Sequence, residues 1–183
     1  MALLTLAEAK AQLNITTTTS DTELQAYIEA ITSAIEGIVG PVENRTVVEL
    51  VEARGPTMTL LQAPVVSLTS FVPVLDGGTA LDVTGLYLYG AIGEVRRKNG
   101  SSFCGGPWTA TYTAGRGTVP PTINLAARIL LQHLWRTQYG SARGVAASAD
   151  DFDVNEPVIG YGYAIPNRVL QLLEPFKTGP GVA

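Results

Sequence analysis

The run from Trp108 to Gly140 constrains this chain most, because an alternating strand, a glycine-rich turn, a double proline and one long amphipathic helix follow one another there without a gap. From Trp108 to Gly115 the large side chains Trp108 and Tyr112 fall on one face and the threonines on the other, the two-residue period of a half-buried strand. Arg116 and Gly117 turn the chain. Pro120 and Pro121 sit where a fixed φ and a missing N–H do least harm, at a helix start. Ile123, Ala126, Ala127, Leu130, Leu134 and Gln138 then recur at about 3.6 residues, which predicts a helix with one buried side.

Two more helices are predicted near the start. Thr5 with Glu8, and Ser20 with Glu23, have the capping-box spacing in which hydroxyl and carboxylate satisfy backbone donors at a helix N-terminus. The first helix stops before the Thr16–Thr19 run, whose side chains disfavour helix. The second puts Leu24, Tyr27, Ile28, Ile31, Ile35 and Ile38 on one stripe until Gly40-Pro41.

Between residues 44 and 115 the pattern changes to short β-branched or aromatic runs at 46–51, 57–61, 65–72, 86–89, 94–97 and 108–113. They are separated by turn signals such as Gly55-Pro56, Asp76-Gly77-Gly78, Asn99-Gly100 and Gly105-Gly106-Pro107. Strands at this spacing predict an antiparallel sheet or small barrel. Residues 140–162 lack periodicity and read as a long loop, and Pro166 opens a last short helix. The expected class is therefore α+β: helices near 5–13, 21–39, 121–139 and 166–175, with an inserted antiparallel β subdomain. The expected organisation is one domain over 1–183, with a helical core of 1–43 and 119–176 and a β insertion of 44–118.

These 183 residues can bury a sizeable core without staples, and 46% hydrophobic against 15% charged residues describe a folded chain of low charge. No apolar run nears the roughly 20 residues a bilayer crossing needs, and no basic segment with a long apolar region opens the sequence, so neither export nor membrane insertion is expected. A lone cysteine, Cys104, excludes an internal disulfide, and a lone histidine, His133, leaves little for a His-based metal cluster or a nucleophile–histidine pair. Asp151, Asp153 and Asn155 share the first spacings of a calcium loop, but Glu156 stands where its glycine belongs and Gly162 where its bidentate glutamate belongs. No cofactor or metal is expected.

The net charge of −4 conceals an asymmetry. Residues 1–94 carry eleven acids against Lys10, Arg45 and Arg54, whereas residues 95–149 carry seven cations and no acid. That pattern suits like subunits meeting acidic face to basic face, a basic surface near DNA, or a basic stretch folded back onto the chain's own acidic helices. Arg96, Arg97 and Lys98 precede Asn99-Gly100, which would place three cations at a hairpin tip, either solvated or touching phosphate. Gly160-Tyr161-Gly162-Tyr163 offers tyrosines for packing on a partner or on the chain's own core.

The order of these segments resembles the head–tail connector, or adaptor, proteins of long-tailed double-stranded DNA bacteriophages. The residues that carry the resemblance are the opening pair of helices from Thr5 and Ser20, the Trp108–Gly140 run, and Gly162-Tyr163-Ala164-Ile165-Pro166 before the last helix. The resemblance implies a structural, non-enzymatic virion neck protein, assembled in the host cytoplasm. It implies a ring, typically of twelve copies, that joins the portal to a tail-side stopper or head-completion protein. Double-stranded DNA would pass through it without sequence recognition. Positions suited to an interface or to facing DNA are Arg96, Arg97, Lys98, Arg143, Tyr161 and Tyr163, and the segments around the long loop and last helix would contact the portal. Two readings from other classes stand beside it. One is a carbohydrate-binding or hydrolase module using Glu49, Glu52, Asp82 or Glu94; the other is a non-specific DNA-binding protein using residues 95–149.

Overall fold

The computed structural model describes residues 3–139 and 165–177. In chain order these form helices α1 (Leu6–Leu13) and α2 (Asp21–Val39), strands β1 (Arg45–Val51), β2 (Thr57–Thr59), β3 (Val65–Pro73), β4 (Leu86–Tyr89), β5 (Glu94–Arg97) and β6 (Trp108–Ala114), then helices α3 (Pro121–Tyr139) and α4 (Asn167–Leu173). The class is α+β, as the residue pattern predicts. By contacts the chain divides into two compact units, one built on Ser33–Pro120 and the other on Leu4–Thr32 with Pro121–Glu174.

In the helical unit, α1 opens on the predicted capping box: Thr5 accepts from Glu8 N at 3.2 Å and Glu8 accepts from Thr5 N at 2.9 Å. Asn14, at φ 54°, ends it in the left-handed conformation that asparagine tolerates. Leu24, Ile28 and Ile31 of α2 are buried, as are Ile123, Ala126, Ala127, Leu130, Leu131 and Trp135 of α3 and Val169 and Leu173 of α4. Here the expected stripe of α3 shifts. Leu131 and Trp135 are buried and Leu134 is half-exposed, because Trp135 lies edge-on against Tyr27 with ring centroids 5.7 Å apart. Lys10 pairs with Asp21 at 2.6 Å and Arg128 with Glu8 at 2.7 Å.

In the other unit all strand pairs are antiparallel and form two three-stranded sheets, ordered β1-β6-β3 and β2-β5-β4. Period-two alternation explains both. Trp108, Ala110, Tyr112 and Ala114 of the central strand β6 are fully buried and the intervening threonines are not. Their face shares one core with Met58, Val95 and Leu86 of the second sheet and with Phe71, Val51, Leu60 and Phe103. The two large polar-tipped side chains of this core are bonded: the Tyr112 hydroxyl accepts from Gln62 N at 3.1 Å, and Trp108 Nε1 donates to Thr79 O at 3.1 Å. Burial pushes the Tyr112 phenol well above its usual range. At the exit from β6, Gly115 has φ 136°, and a Cβ there would lie 2.5 Å from Asn44 Oδ1. Only glycine fits.

Candidate assembly surfaces

Three of the residues singled out from sequence, Arg143, Tyr161 and Tyr163, lie outside the described residues, as do the 140–162 loop and Asp151, Asp153 and Asn155. The other three, Arg96, Arg97 and Lys98, do not sit at a hairpin tip. Their strand β5 pairs with β4 through Tyr89↔Glu94 and Leu86↔Arg97, so that hairpin turns at residues 90–93 and the cations lie at its open end. Asn99-Gly100 does make a turn, with Gly100 N donating to Arg97 O at 3.0 Å, but it leads into a loop, since β5 pairs with β2 and β4 and not with β6.

Alternation then divides the three cations. Arg96 points away from the core beside Tyr87 and Thr57, and pairs with Glu94 on the same face. Arg97 falls on the side of Val95: its guanidinium lies 5.2 Å from the centre of the Phe103 ring, and its Nε is buried without a hydrogen-bond partner. Lys98 bonds back to the turn before β4, with its N on Gly85 O at 2.9 Å and its Nζ on Thr84 O at 2.7 Å. The signal for this split was already in Glu94-Val95-Arg96-Arg97. Once Val95 is assigned inward, period two takes Arg97 with it.

Arg116 makes contacts that periodicity could not find. One of its Nη atoms donates to Val39 O, at the C-terminal end of α2, at 2.6 Å and to Phe176 O at 2.9 Å, and its guanidinium sits 5.4 Å from the Phe176 ring centre. A cation on the last carbonyls of a helix answers the negative end of its dipole. Burial alone lowers the affinity of this guanidinium for its proton. The segment around Phe176 is thereby fastened to the end of α2 within one unit.

Three of the four acids considered for hydrolysis, Glu49, Asp82 and Glu94, are engaged locally. Glu49 accepts from Leu61 N at 3.0 Å, Asp82 accepts from Thr84 N at 2.9 Å, and Glu94 pairs with Arg96. The bonds from the Thr84 hydroxyl and amide hold the Asp82 carboxyl below its usual range. A cleft of about 430 Å³ opens beside Asp82, Arg97, Asn99 and Cys104. Its lining holds a thiol but no histidine to activate it. Among the described residues no group of three or more His, Cys, Asp or Glu could hold a metal, and no helix is long and apolar enough to cross a membrane.

The outward faces of the two sheets present different chemistry. On β1-β6-β3 the outward positions are Thr46, Val48 and Leu50, then Thr109, Thr111 and Thr113, then Ser67, Ser70 and Val72, without one charged group. Val48 is 63% and Leu50 60% exposed. On β2-β5-β4 they are Thr57 and Thr59, Glu94 and Arg96, Tyr87 and Tyr89.

A family model of head completion proteins matches residues 2–178. None of the curated proteins matches the chain in sequence. Among solved structures, the chain is similar to one in the neck of an empty GTA particle computed with C6 symmetry, at 24% identity and a TM-score of 0.67 over 97% of this chain and 91% of that one. It is similar to a chain in the neck of the native GTA particle computed with C12 symmetry, at 24% identity and 0.64 over 96% and 88%. A third similar chain, at 22% identity and 0.58 over 97% and 91%, belongs to the virion of a native gene transfer agent (GTA) particle. At these identities the likeness is one of fold.

Proposed function

The chain belongs to the head completion protein family, and from that premise we propose that it is a structural, non-catalytic component of a virion neck. In this reading it forms a ring, of twelve copies, that joins the portal on the head side to a tail-side stopper or further head-completion protein. Double-stranded DNA passes through the ring without sequence readout, and the chain is assembled in the host cytoplasm before it enters the particle. The single observation that carries the reading is the span of the family match, residues 2–178, which takes in both the helical and the β unit. Support comes from the fold shared with chains of neck structures computed with C6 and C12 symmetry, since cyclic symmetry repeats a chain about one axis.

A ring interface is heterologous, so each copy offers two different patches. Arg96 directs its charge outward and is our candidate for a charged contact with a neighbour, while Arg97 and Lys98 are held by groups of their own unit. Arg143, Tyr161 and Tyr163 are proposed for contact with the portal or the DNA channel. Removing the chain from its particle tests the whole reading. DNA-filled heads without tails, together with a ring on the portal in electron micrographs of the purified chain mixed with portal, are expected. Normal tailed particles without the chain would overturn it.

A further inference from the structure

We propose that the outward face of the β1-β6-β3 sheet is the surface on which a second copy of this chain packs in the ring. The inference rests on the neck-ring reading above and adds to it the surface used. Nine outward positions on three neighbouring strands carry only Thr, Ser, Val and Leu. Val48, Leu50 and Val72 are each more than half exposed there. Among the described residues, none of the acids or cations occupies an outward position of these three strands. An uncharged sheet face with exposed Val and Leu side chains, left in water, is also a site for association.

Two observations select another copy as the occupant. First, the similar chains belong to necks computed with cyclic symmetry, in which every copy has two lateral neighbours of its own kind. Second, the face is small. Three strands about 4.8 Å apart, with three outward positions about 6.8 Å apart on each, make about 300 Å². A stable pairwise interface buries about 800 Å² on each partner. A patch of that size does not hold a free dimer or capture a lone partner, but it serves where ring closure holds each copy between two others. Thr and Ser hydroxyls along the face can bond to a neighbour's backbone, and an uncharged face requires an uncharged patch opposite it.

The test attaches a benzophenone to the thiol of a Val48→Cys variant in a Cys104→Ser background. Heads lacking the chain are complemented with an equal mixture of light and heavy-nitrogen copies, and the particles are irradiated. Cross-linked peptides of mixed isotope content, which can come only from two copies, are the expected result. A Val48→Cys, Leu50→Asp, Val72→Asp variant should fold like the parent and lose at least about tenfold in mixed cross-links and in incorporation. Links confined to the chain's own copy or to a different neck protein, or unlinked label in particles that contain the chain, overturn the proposal. If the unlabelled parent chain does not enter particles at all, the neck reading itself fails, and the face loses its basis with it.

Discussion

The two sheets of the β unit share one core and are opposite in what they show to the outside. Their inward faces are alike, with Trp108 and Tyr112 of one meeting the apolar cluster that Val95 and Met58 of the other help to form. Their outward faces differ. The β2-β5-β4 face carries tyrosines and an Arg96–Glu94 pair, which water and dissolved ions accept readily, whereas the β1-β6-β3 face carries only hydroxyl and aliphatic groups. Folding needs only the inward faces to match, so the difference outside is not explained by folding. It is the difference expected if the β1-β6-β3 face packs on another copy, as proposed above, and the β2-β5-β4 face does not.

If the inward faces are one core, both sheets should melt together when either is damaged. Trp108→Ala removes the largest fully buried side chain of that core and should cost about 3–5 kcal/mol, much of a domain's stability. Loss of β4–β5 amide protection along with that of β1–β6 in hydrogen exchange is the expected pattern. Persistence of β2-β5-β4 would split the core in two. In the helical unit, Ile31→Asp and Leu130→Asp each bury an unpaired carboxylate, at a cost of several kcal/mol, and should yield unfolded protein. A soluble, native-like variant would place that stripe at an interface.

The next effect separates neighbours on one strand. Arg97→Glu puts a carboxylate beside Phe103 and removes the guanidinium that lies over its ring, so a loss of about 1–3 kcal/mol is expected. Arg96→Glu, on the outward face, should cost under about 1 kcal/mol and leave the fold unchanged. Denaturant melting of the two variants decides this. Equal losses would mean that Arg97 is as exposed as Arg96 and that the alternation fails at the end of β5.

Periodicity made most of this architecture legible. Among the described residues, the six strands and four helices stand within a few residues of where alternation, capping signals and Pro-Gly punctuation put them, because local chemistry decides those boundaries. What could not be read is pairing. Nothing in Glu94-Val95-Arg96-Arg97 says that β5 lies between β2 and β4, and an Asn-Gly turn looks the same whether or not the next strand returns beside it. Hence the cationic triplet looked like a tip. Arg116 was invisible for a related reason, since its partners, Val39 O and Phe176 O, are backbone atoms brought near only by the fold. The uncharged face is the intermediate case. Its threonines on β6 were legible as one face, but the addition of Val48, Leu50 and Val72 beside them depends on register.

The smallest expected effect separates the sheets by pH. Asp82 caps the turn into β4: its carboxylate accepts from the Thr84 amide and hydroxyl, and those bonds, with a lesser contribution from the Lys98 charge, hold its proton affinity below the usual carboxylate value. A carboxyl lowered on folding stabilises the fold at pH above its unfolded value, and that contribution is lost as pH falls through the lower folded value. The Thr84 amide and the Lys98 amide, which bonds to Gly85 O, should therefore lose protection in that acidic window, after correction for intrinsic exchange. Asp82→Asn keeps an acceptor for the turn but cannot titrate, so it should abolish the local pH dependence. The amides of Thr109, Thr111 and Thr113 should not follow the same step, because they belong to the other sheet and, among the described residues, the Asp82 carboxylate bonds only to Thr84. A matching step in those amides, removed by Asp82→Asn, would show that the two sheets respond to acid as one body despite their different outer faces.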